Sequence, residues 1–157
     1  MKKKYQNLPL RLGVGIVVLN EKNEVFVGKR IDNPKNFWQM PQGGVDIGEK
    51  FYDAAKRELK EETNIKTIKF IKEIDGFISY LLPDELLGII WKGRYKGQKQ
   101  KWFIVRFEGF EREINIKTKY PEFLDWKWVN LDKITDEVVD FKLKVYSKIK
   151  EEVKKII

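Results

Sequence analysis

Hydrophobic and polar residues alternate along much of the chain, and this pattern predicts several β-strands. Residues 11–20 and 24–30 are rich in β-branched side chains and flank the polar residues 21–23, so they predict a β-hairpin. A polar loop is expected at 32–37, and residues 83–101 are predicted to be mostly loop. The other predicted strands lie at 38–45, at 67–82 (one or two strands, broken near Asp75 and Gly76), at 102–110 and at 125–129.

Hydrophobic residues recur with a helical period in two further segments. Residues 50–63 predict one α-helix, and Asn64, which tolerates a left-handed backbone, is placed to end it. Residues 140–155 predict a second helix. Strands before, between and after these helices indicate an α/β sandwich with a mixed sheet. Since no internal repeat or linker interrupts the sequence, we expect residues 1–157 to form a single domain.

The chain contains no cysteine and no histidine, and these absences exclude several classes of enzyme. Disulfides, zinc sites built from Cys and His, thiol nucleophiles and a Ser-His-Asp triad are all impossible. Hydrolytic chemistry must therefore come from carboxylates, Lys, Tyr, Ser or Thr, together with a hard metal ion. Sites rich in oxygen ligands select Mg²⁺, Mn²⁺ or Ca²⁺.

The chain is basic, with 32 Lys and Arg against 24 Asp and Glu and a net charge of +8. A basic surface attracts polyanions, which makes nucleotides or RNA plausible partners. A generally lysine-rich composition would give the same charge without such a partner. No apolar run approaches the roughly 20 residues of a membrane span, so we expect a cytoplasmic protein with no membrane partner. A monomer is favoured.

The predicted helix at 50–63 carries acids where its core-facing stripe should be hydrophobic. The stripe begins with Phe51 and two alanines. At about 100° per residue, Glu61 and Glu62 lie within roughly 60° of Glu58, so the stripe continues as three glutamates that face inward. Like charges at these spacings repel, and acids in the last turn oppose the helix dipole. A solvated acidic face is the alternative, but the inward phase and the preceding glycine turn favour a cation site.

Residues 43–65 read GGVDIGEKFYDAAKRELKEETNI and resemble the Nudix box, Gly-x₅-Glu-x₇-Arg-Glu-apolar-x-Glu-Glu-x-Gly-apolar. One position departs from the box, because Asn64 stands in place of its second glycine. Segments 11–20, 38–44, 97–103, 121–128 and 140–146 resemble the family branch that contains RNA pyrophosphohydrolases and asymmetric diadenosine tetraphosphate hydrolases. The resemblance implies the α/β/α Nudix sandwich with a mixed β-sheet. The matching box positions are Gly43, Glu49, Arg57, Glu58, Leu59, Glu61, Glu62 and Ile65.

The resemblance implies a metal and catalytic role for residues in and near the box. The bound metal would be Mg²⁺, with Mn²⁺ possible, and no organic cofactor is expected. Glu49 and Arg57 would form a buried ion pair that holds the glycine turn against the helix and orients the glutamates. The general base stays open between Glu61, Glu62 and Glu122, and Glu122 could instead be a surface glutamate. The implied metal ligands are the Gly43 backbone, Glu58, Glu61, Glu62 and Glu122.

Substrate binding requires cations for the phosphates and planar groups for a nucleobase. The resemblance points to Arg30 and Phe141 as planar groups that sandwich a base, with Tyr80 as a further candidate. Phe141 could instead be a core residue, and Trp38 and Trp102 are expected to be core. The candidate phosphate-binding cations are Arg11, Lys29, Arg30, Lys99, Lys101 and Lys142.

The expected function is magnesium-dependent hydrolysis of a pyrophosphate bond attached to a nucleoside. The leading hypothesis is an RNA 5′-pyrophosphohydrolase that converts a 5′-triphosphate end into a 5′-monophosphate. A dinucleoside polyphosphate hydrolase would use the same site on a shorter substrate. A non-catalytic nucleotide-binding module with the same fold is the third hypothesis, although a mere binder need not keep three repelling acids.

Overall fold

The computed structural model describes residues 3–32 and 35–157, and these residues contain eight β-strands and two α-helices. Residues 33 and 34 of the predicted polar loop lie outside the described residues. The strands are β1 (Leu10–Leu19), β2 (Val25–Arg30), β3 (Trp38–Gln39), β4 (Gln42–Gly44), β5 (Ile68–Glu73), β6 (Ile78–Leu81), β7 (Gly97–Phe107) and β8 (Phe123–Val129). The helices are α1 (Phe51–Thr63) and α2 (Leu143–Lys154).

All eight strands belong to one mixed sheet, as the alternation of strands and helices predicted. Its main order is β3-β2-β1-β7-β5, with β4 paired to β1, β6 to β7 and β8 to β2. The central pair, β1 and β7, is parallel along its whole length, whereas β1 and β2 form the predicted antiparallel hairpin. The pairing of β4 with β1 brings the glycine turn that precedes α1 beside the first half of β1.

The two faces of the sheet are covered by different helices. Along β1, Val14, Ile16 and Val18 pack with α1, whereas Val17 and Leu19 belong to the cluster that includes α2. Because both faces are covered, the second half of β1 is buried at every position rather than at every other one. The predicted α/β sandwich is confirmed. Neither helix in the described part of the chain combines the length and apolar character required to cross a bilayer.

Helix α1 ends as predicted, at a left-handed Asn64. Its φ of 63° and ψ of 7° are the conformation of a C-terminal cap, and its backbone N–H donates to the Lys60 carbonyl. The side chain adds a contact that the sequence did not suggest, since Nδ2 donates to the Glu113 carbonyl at 2.9 Å. Asn64 therefore stops the helix and also ties it to the loop after β7.

Several predicted boundaries differ from the structure. Strand β7 begins at Gly97, inside the segment predicted as loop, because residues 97–101 pair in parallel with the start of β1. The predicted strand region 67–82 forms two separate strands, β5 and β6, with the break at the expected place. Helix α2 begins at Leu143 rather than at 140, after a short 3₁₀ turn, Asp140–Lys142.

Candidate active site

Arg57 lies at the centre of a hydrogen-bonded cluster that joins α1 to the turn before it. Its Nε and Nη2 donate to the two carboxylate oxygens of Glu49 at 2.8 and 3.0 Å. Nη2 also donates to the Gly44 carbonyl at 2.9 Å, and Nη1 donates to Glu58 Oε1 at 2.7 Å. The side chains of Arg57 and Glu49 are 28% and 17% exposed, so the ion pair is half-buried. The predicted ion pair is present, but it is half-buried rather than fully buried, because the turn that carries Glu49 lies near the surface.

Glu49 is an anchor for the glycine turn. The Arg57 guanidinium and the backbone N–H of Asp46 lower the pKa of Glu49 to about 2. The Glu49 carboxylate is therefore ionised at any physiological pH, and its bidentate contact with Arg57 is maintained. The turn and the helix are held in one arrangement by this contact.

Glu58 lies directly against the backbone of Gly43. A Cβ at position 43 would collide with the Glu58 carboxyl group, so a glycine there is a steric requirement of this packing. Burial raises the pKa of Glu58, and the hydrogen bond from Arg57 partly offsets that effect. Glycine is needed at position 43 because Glu58 approaches its backbone closely, and not because of a left-handed conformation, since Gly43 has no positive φ.

Glu62 is the most deeply buried of the box glutamates. Its exposed fraction is 6%, and its Oε2 has no hydrogen-bond partner among the residues that the structure describes. Burial, followed by the nearby charges of Glu58 and Glu122, raises the pKa of Glu62 well above its ordinary value. A buried carboxylate oxygen without a partner is costly for a folded protein unless a ligand satisfies it.

Glu61 and Glu122 are more exposed members of the same group. The Glu61 side chain is 58% exposed and reaches Arg57 Nη1 at 3.3 Å. Glu122, just before β8, is 44% exposed, and its Oε2 lies 3.4 Å from Arg30 Nη2. The prediction of three inward-facing glutamates is therefore wrong for Glu61. The buried face of α1 contains Leu59 and Glu62, whereas Glu61 lies outside it.

These carboxylates fit a divalent cation through their chemistry rather than as a preformed cage. No three or more Asp or Glu residues within 3–32 and 35–157 lie close enough together to hold one ion. The hydrogen bond from Arg57 occupies Glu58 Oε1, whereas Glu62 Oε2 is buried and unsatisfied. Hard oxygen donors of this kind suit Mg²⁺ or Mn²⁺, and a bound cation would satisfy the buried oxygen.

A cleft of about 830 Å³ opens on one side of the carboxylates. Arg30, Tyr80 and Phe141 line it, so the structure brings together the three residues predicted for a nucleobase. The Phe141 and Tyr80 rings lie 5.6 Å apart and are tilted by 41°. The Arg30 guanidinium donates to both carboxylate oxygens of Asp32, at 2.8 and 2.7 Å. Asp32, which the sequence did not suggest, thus orients the planar face of Arg30.

Lys142 is a buried cation at the floor of this cleft. It is 6% exposed, and its Nζ donates to Gln39 Oε1 at 3.2 Å. Burial and the neighbouring Arg30 charge lower the pKa of Lys142 to about 7. Because the ammonium is desolvated and weakly compensated, it is suited to pair with an anionic ligand.

Arg11 lines the same cleft, as predicted, beside an aromatic residue that the sequence did not identify. The Arg11 guanidinium carbon lies 5.4 Å from the centre of the Trp91 ring, and Trp91 also lines the cleft. Trp38, expected in the core, is half-buried and forms another part of the wall, whereas Trp102 is fully buried as predicted. No periodicity marked Trp91, because it lies in the irregular segment between β6 and β7.

Three predicted phosphate-binding lysines do not line the cleft. In β7, Gln98 faces the cleft, so strand alternation places Lys99 and Lys101 on the opposite face of the sheet. There Lys99 Nζ lies 4.6 Å from the Phe77 ring centre, and Lys101 Nζ donates to the Gly76 carbonyl. Lys29 is likewise absent from the cleft wall. The assignment of these lysines to the phosphate site is corrected, because sequence alone did not give the strand register.

A second cavity, of about 680 Å³, opens on the other side of the carboxylates. Both cavities share Glu58, Glu61, Glu62 and Glu122, so the acidic group lies between them. The second cavity is lined by as many basic as acidic side chains, and it carries one exposed aromatic side chain, Tyr120, which is 75% exposed. Its lysines are Lys60, Lys117 and Lys119.

Comparison with known proteins gives a consistent family assignment. A family model described as "NUDIX domain" matches residues 9–149. A curated protein named RNA pyrophosphohydrolase from Pelagibacter ubique (strain HTCC1062) is 69% identical over 151 residues, covering 96% of each chain. A protein of the same name from Orientia tsutsugamushi (strain Boryong) is 44% identical over 147 residues, covering 94% of this chain and 91% of that protein.

Solved structures share the fold at low sequence identity. The E. coli dihydroneopterin triphosphate pyrophosphohydrolase superposes with a TM-score of 0.70 at 20% identity, covering 92% of this chain and 99% of that one. A C. elegans Ap4A hydrolase in a binary complex gives a TM-score of 0.64 at 19% identity, with the same coverage. At such identities the likeness concerns the fold alone, and it confirms the expected α/β/α sandwich with its mixed sheet.

Proposed function

The chain belongs to the NUDIX family, and we propose that it is a divalent-metal-dependent RNA 5′-pyrophosphohydrolase. The proposal is carried by the 69% identity, over nearly the full length of both chains, to a protein named RNA pyrophosphohydrolase. The reaction that we assign is hydrolysis of a 5′-triphosphate RNA end. Water attacks phosphorus, the bond between the α and β phosphates breaks, and pyrophosphate leaves the 5′-monophosphate end.

We assign metal binding to Glu58, Glu61 and Glu62, with Glu122 and the Gly43 backbone as further donors. The unsatisfied buried oxygen of Glu62 supports this assignment, because a cation is the partner it lacks. When bound, a divalent ion neutralises phosphate charge and makes a water molecule more acidic. The base that accepts the proton from the attacking water is one of Glu61, Glu62 or Glu122.

We assign no direct contact with the reacting atoms to Arg57 and Glu49. Arg57 holds Glu58 by a 2.7 Å hydrogen bond and holds the glycine turn through Glu49 and the Gly44 carbonyl. These contacts fix the position of Glu58 relative to the turn. We therefore assign Arg57 and Glu49 as positioning residues that preserve the geometry of the carboxylates.

The cleft beside the carboxylates supplies the binding groups for the RNA end. Arg30 and Phe141 are assigned as the planar groups that hold a nucleobase, with Tyr80 behind Phe141. Lys142 and Arg11 are assigned to the phosphates, since both are cations on the cleft wall. The net charge of +8 favours a polyanionic substrate longer than one nucleotide.

A dinucleoside polyphosphate is the second candidate substrate, and one observation favours it. The second cavity, on the far side of the carboxylates, offers an exposed Tyr120 ring and three lysines. A substrate with a nucleoside at each end of its phosphate chain could place one base in the cleft and the other at Tyr120. A triphosphate RNA end has only the β and γ phosphates beyond the bond that is cleaved, so it has no second nucleoside to place at Tyr120.

Product analysis tests the proposed reaction. Purified protein is incubated with 5′-triphosphorylated RNA and Mg²⁺, and both the RNA end and the released phosphate species are identified. We expect monophosphorylated RNA and pyrophosphate in equal amounts. Turnover should be lost in EDTA and restored by Mg²⁺ or Mn²⁺ but not by Zn²⁺. Glu58→Gln is the control, and it should lower turnover by about two orders of magnitude with the fold retained. Full turnover in EDTA, or release of orthophosphate alone, would reject the assignment.

A further inference from the structure

The turn Ile90–Gly93 has an unusual backbone at two residues that are not glycine. Trp91 has φ 51° and ψ 35°, and Lys92 has φ 58° and ψ 26°. A residue with a Cβ is disfavoured in this left-handed region, and two such residues in succession are rarer still. Gly88 and Gly93, close by, show that the same segment uses glycine at other positive φ positions. Backbone conformations of this kind persist where a site requires them.

The conformation of this turn contributes the Trp91 ring to the cleft wall. Trp91 is half-buried, lines the cleft beside Ile90, and makes an edge contact with Tyr95 at 6.1 Å between ring centres. The Arg11 guanidinium carbon lies 5.4 Å from the centre of the Trp91 ring, within the distance for a cation–π contact. The strained turn and the cleft cation are therefore in direct contact.

Arg11 extends from this ring to the glycine turn of the acidic site. A Cβ on Gly44 would collide with the Arg11 guanidinium, so Arg11 lies close against the backbone there. Gly44 also accepts a hydrogen bond from Arg57 and adjoins Gly43, against which Glu58 packs. The charge of Arg11 also acts on Glu58 and lowers its pKa, although burial outweighs this effect. Arg11 thus lies at the end of the cleft nearest the glutamates, with Trp91 on its other side.

We propose that Trp91 is a substrate-positioning residue, whose ring holds the Arg11 guanidinium where it contacts the phosphate chain of the substrate. This role rests on the proposed function of the cleft, because it assigns a phosphate to Arg11. An arginine on a flexible side chain loses conformational freedom when it binds a phosphate, and stacking on a ring orients the planar group beforehand. The left-handed turn is retained because it points the indole at Arg11.

A purely structural role for Trp91 predicts a different behaviour. The ring also packs against the buried cluster that contains Leu82 and Leu87, so it could simply anchor the segment between β6 and β7. In that case its removal would lower stability and damage activity whether or not Arg11 is present. A positioning role requires instead that the effect of Trp91 disappear once Arg11 is gone.

The test is a double-mutant cycle with Trp91→Ala, Arg11→Ala and the double variant, read by kcat and KM on 5′-triphosphorylated RNA. We expect Trp91→Ala to raise KM about fivefold with kcat within about twofold, the effect of losing one cation–π contact. Arg11→Ala should raise KM by about tenfold or more, and the double variant should be no worse than Arg11→Ala alone. Trp91→Phe keeps an aromatic face and should stay within about twofold of the wild type.

Two further measurements separate the possible failures. Lys92→Gly removes the strained Cβ next to Trp91 without touching its ring, so it should raise the melting temperature and leave KM unchanged. The affinity of the same variants for inorganic triphosphate, measured by calorimetry, does not depend on RNA cleavage. If the wild type fails to cleave RNA, the proposed function fails while the affinities still report the coupling. The role of Trp91 would be overturned if the effects of Trp91→Ala and Arg11→Ala on KM multiplied in the double variant. It would also be overturned if the protein did not bind triphosphate at all.

Discussion

The carboxyl group of Glu58 packs against the α-carbon of Gly43, across the junction between β4 and α1. Any Cβ at position 43 would occupy the space of that carboxyl group. Gly43 pairs with Val14 in the sheet, and Glu58 is held by Arg57, so neither partner can withdraw without breaking other contacts. The first glycine of the box, Gly43, is thus required because the Glu58 side chain approaches its backbone so closely.

Gly43→Ala should therefore lower turnover strongly while leaving a folded protein. The methyl group would displace Glu58 from its place beside the turn, and misplaced catalytic groups reduce rates by about 100-fold or more. Gly48→Ala is a matched control, because Gly48 has a φ of 78° but open space around it. That change should cost about 1 kcal/mol of stability and keep most of the activity. Equal losses of activity in both variants would show that the contact with Glu58 is irrelevant.

Glu62→Gln should stabilise the metal-free protein and remove its activity. The pKa of Glu62 is raised in the folded state, so above about pH 4.5 the folded protein holds a proton that the unfolded chain releases. The stability contributed by this group therefore falls as pH rises, and a neutral glutamine avoids that loss. We expect a gain of about 1–3 kcal/mol at pH 8 that vanishes below pH 4.5. Denaturant unfolding at the two pH values measures it, and a destabilised variant at pH 8 would contradict the assignment.

Lys142 should make substrate capture sensitive to pH near neutrality. Its pKa of about 7 means that the free protein loses this positive charge as pH rises from 6 to 8. One charge-assisted hydrogen bond contributes about 1.5–3 kcal/mol, so kcat/KM on RNA should fall by about tenfold across this change. The substrate phosphates also titrate, and Lys142→Met serves as the reference because only the lysine differs. Parallel pH profiles for the two proteins would refute the role of Lys142.

Phe141→Ala should raise KM for RNA without affecting the bond-breaking step. Phe141 is half-buried, lies against Tyr80 and lines the cleft, so its loss removes a stacking surface worth about 1–3 kcal/mol per base. Hydrolysis of inorganic triphosphate, which has no base, should be unchanged. The melting temperature is recorded beside both rates. A large drop in melting temperature with the same loss on both substrates would make Phe141 a core residue.

The local features of the acidic helix could be predicted from sequence because they depend on neighbouring residues. Asn64 is left-handed at φ 63°, as a helix stop without glycine requires, and Arg57 reaches Glu49 across the turn. The hydrogen bond from Asn64 to the Glu113 carbonyl was not predictable, since it joins residues distant in the chain. Because of this hydrogen bond, Asn64→Gly is expected to have little effect on the free energy of unfolding. Glycine removes the Cβ that is disfavoured at φ > 0, but the variant loses the hydrogen bond to the Glu113 carbonyl.

Features that depend on register and tertiary packing could not be predicted. Lys99 and Lys101 were expected at the phosphate site, but the side of β7 on which they lie depends on its pairing with β1. The exposure of Glu61 depends on the rotation of α1, which follows from the packing of Ala54, Ala55 and Leu59 in the core. Trp91 carries no sequence signal, because a left-handed tryptophan is stabilised by its surroundings rather than by its own preference.

The central claim is that this protein acts on RNA 5′ ends, and paired rates on two substrates test it most directly. The measurement is kcat/KM on 5′-triphosphorylated RNA and on diadenosine tetraphosphate, with one preparation and saturating Mg²⁺. We expect the RNA to be preferred by at least about tenfold, which corresponds to ~1.4 kcal/mol in transition-state binding. An equal or higher kcat/KM on diadenosine tetraphosphate would contradict the account and assign the second cavity, around Tyr120, to a second nucleoside.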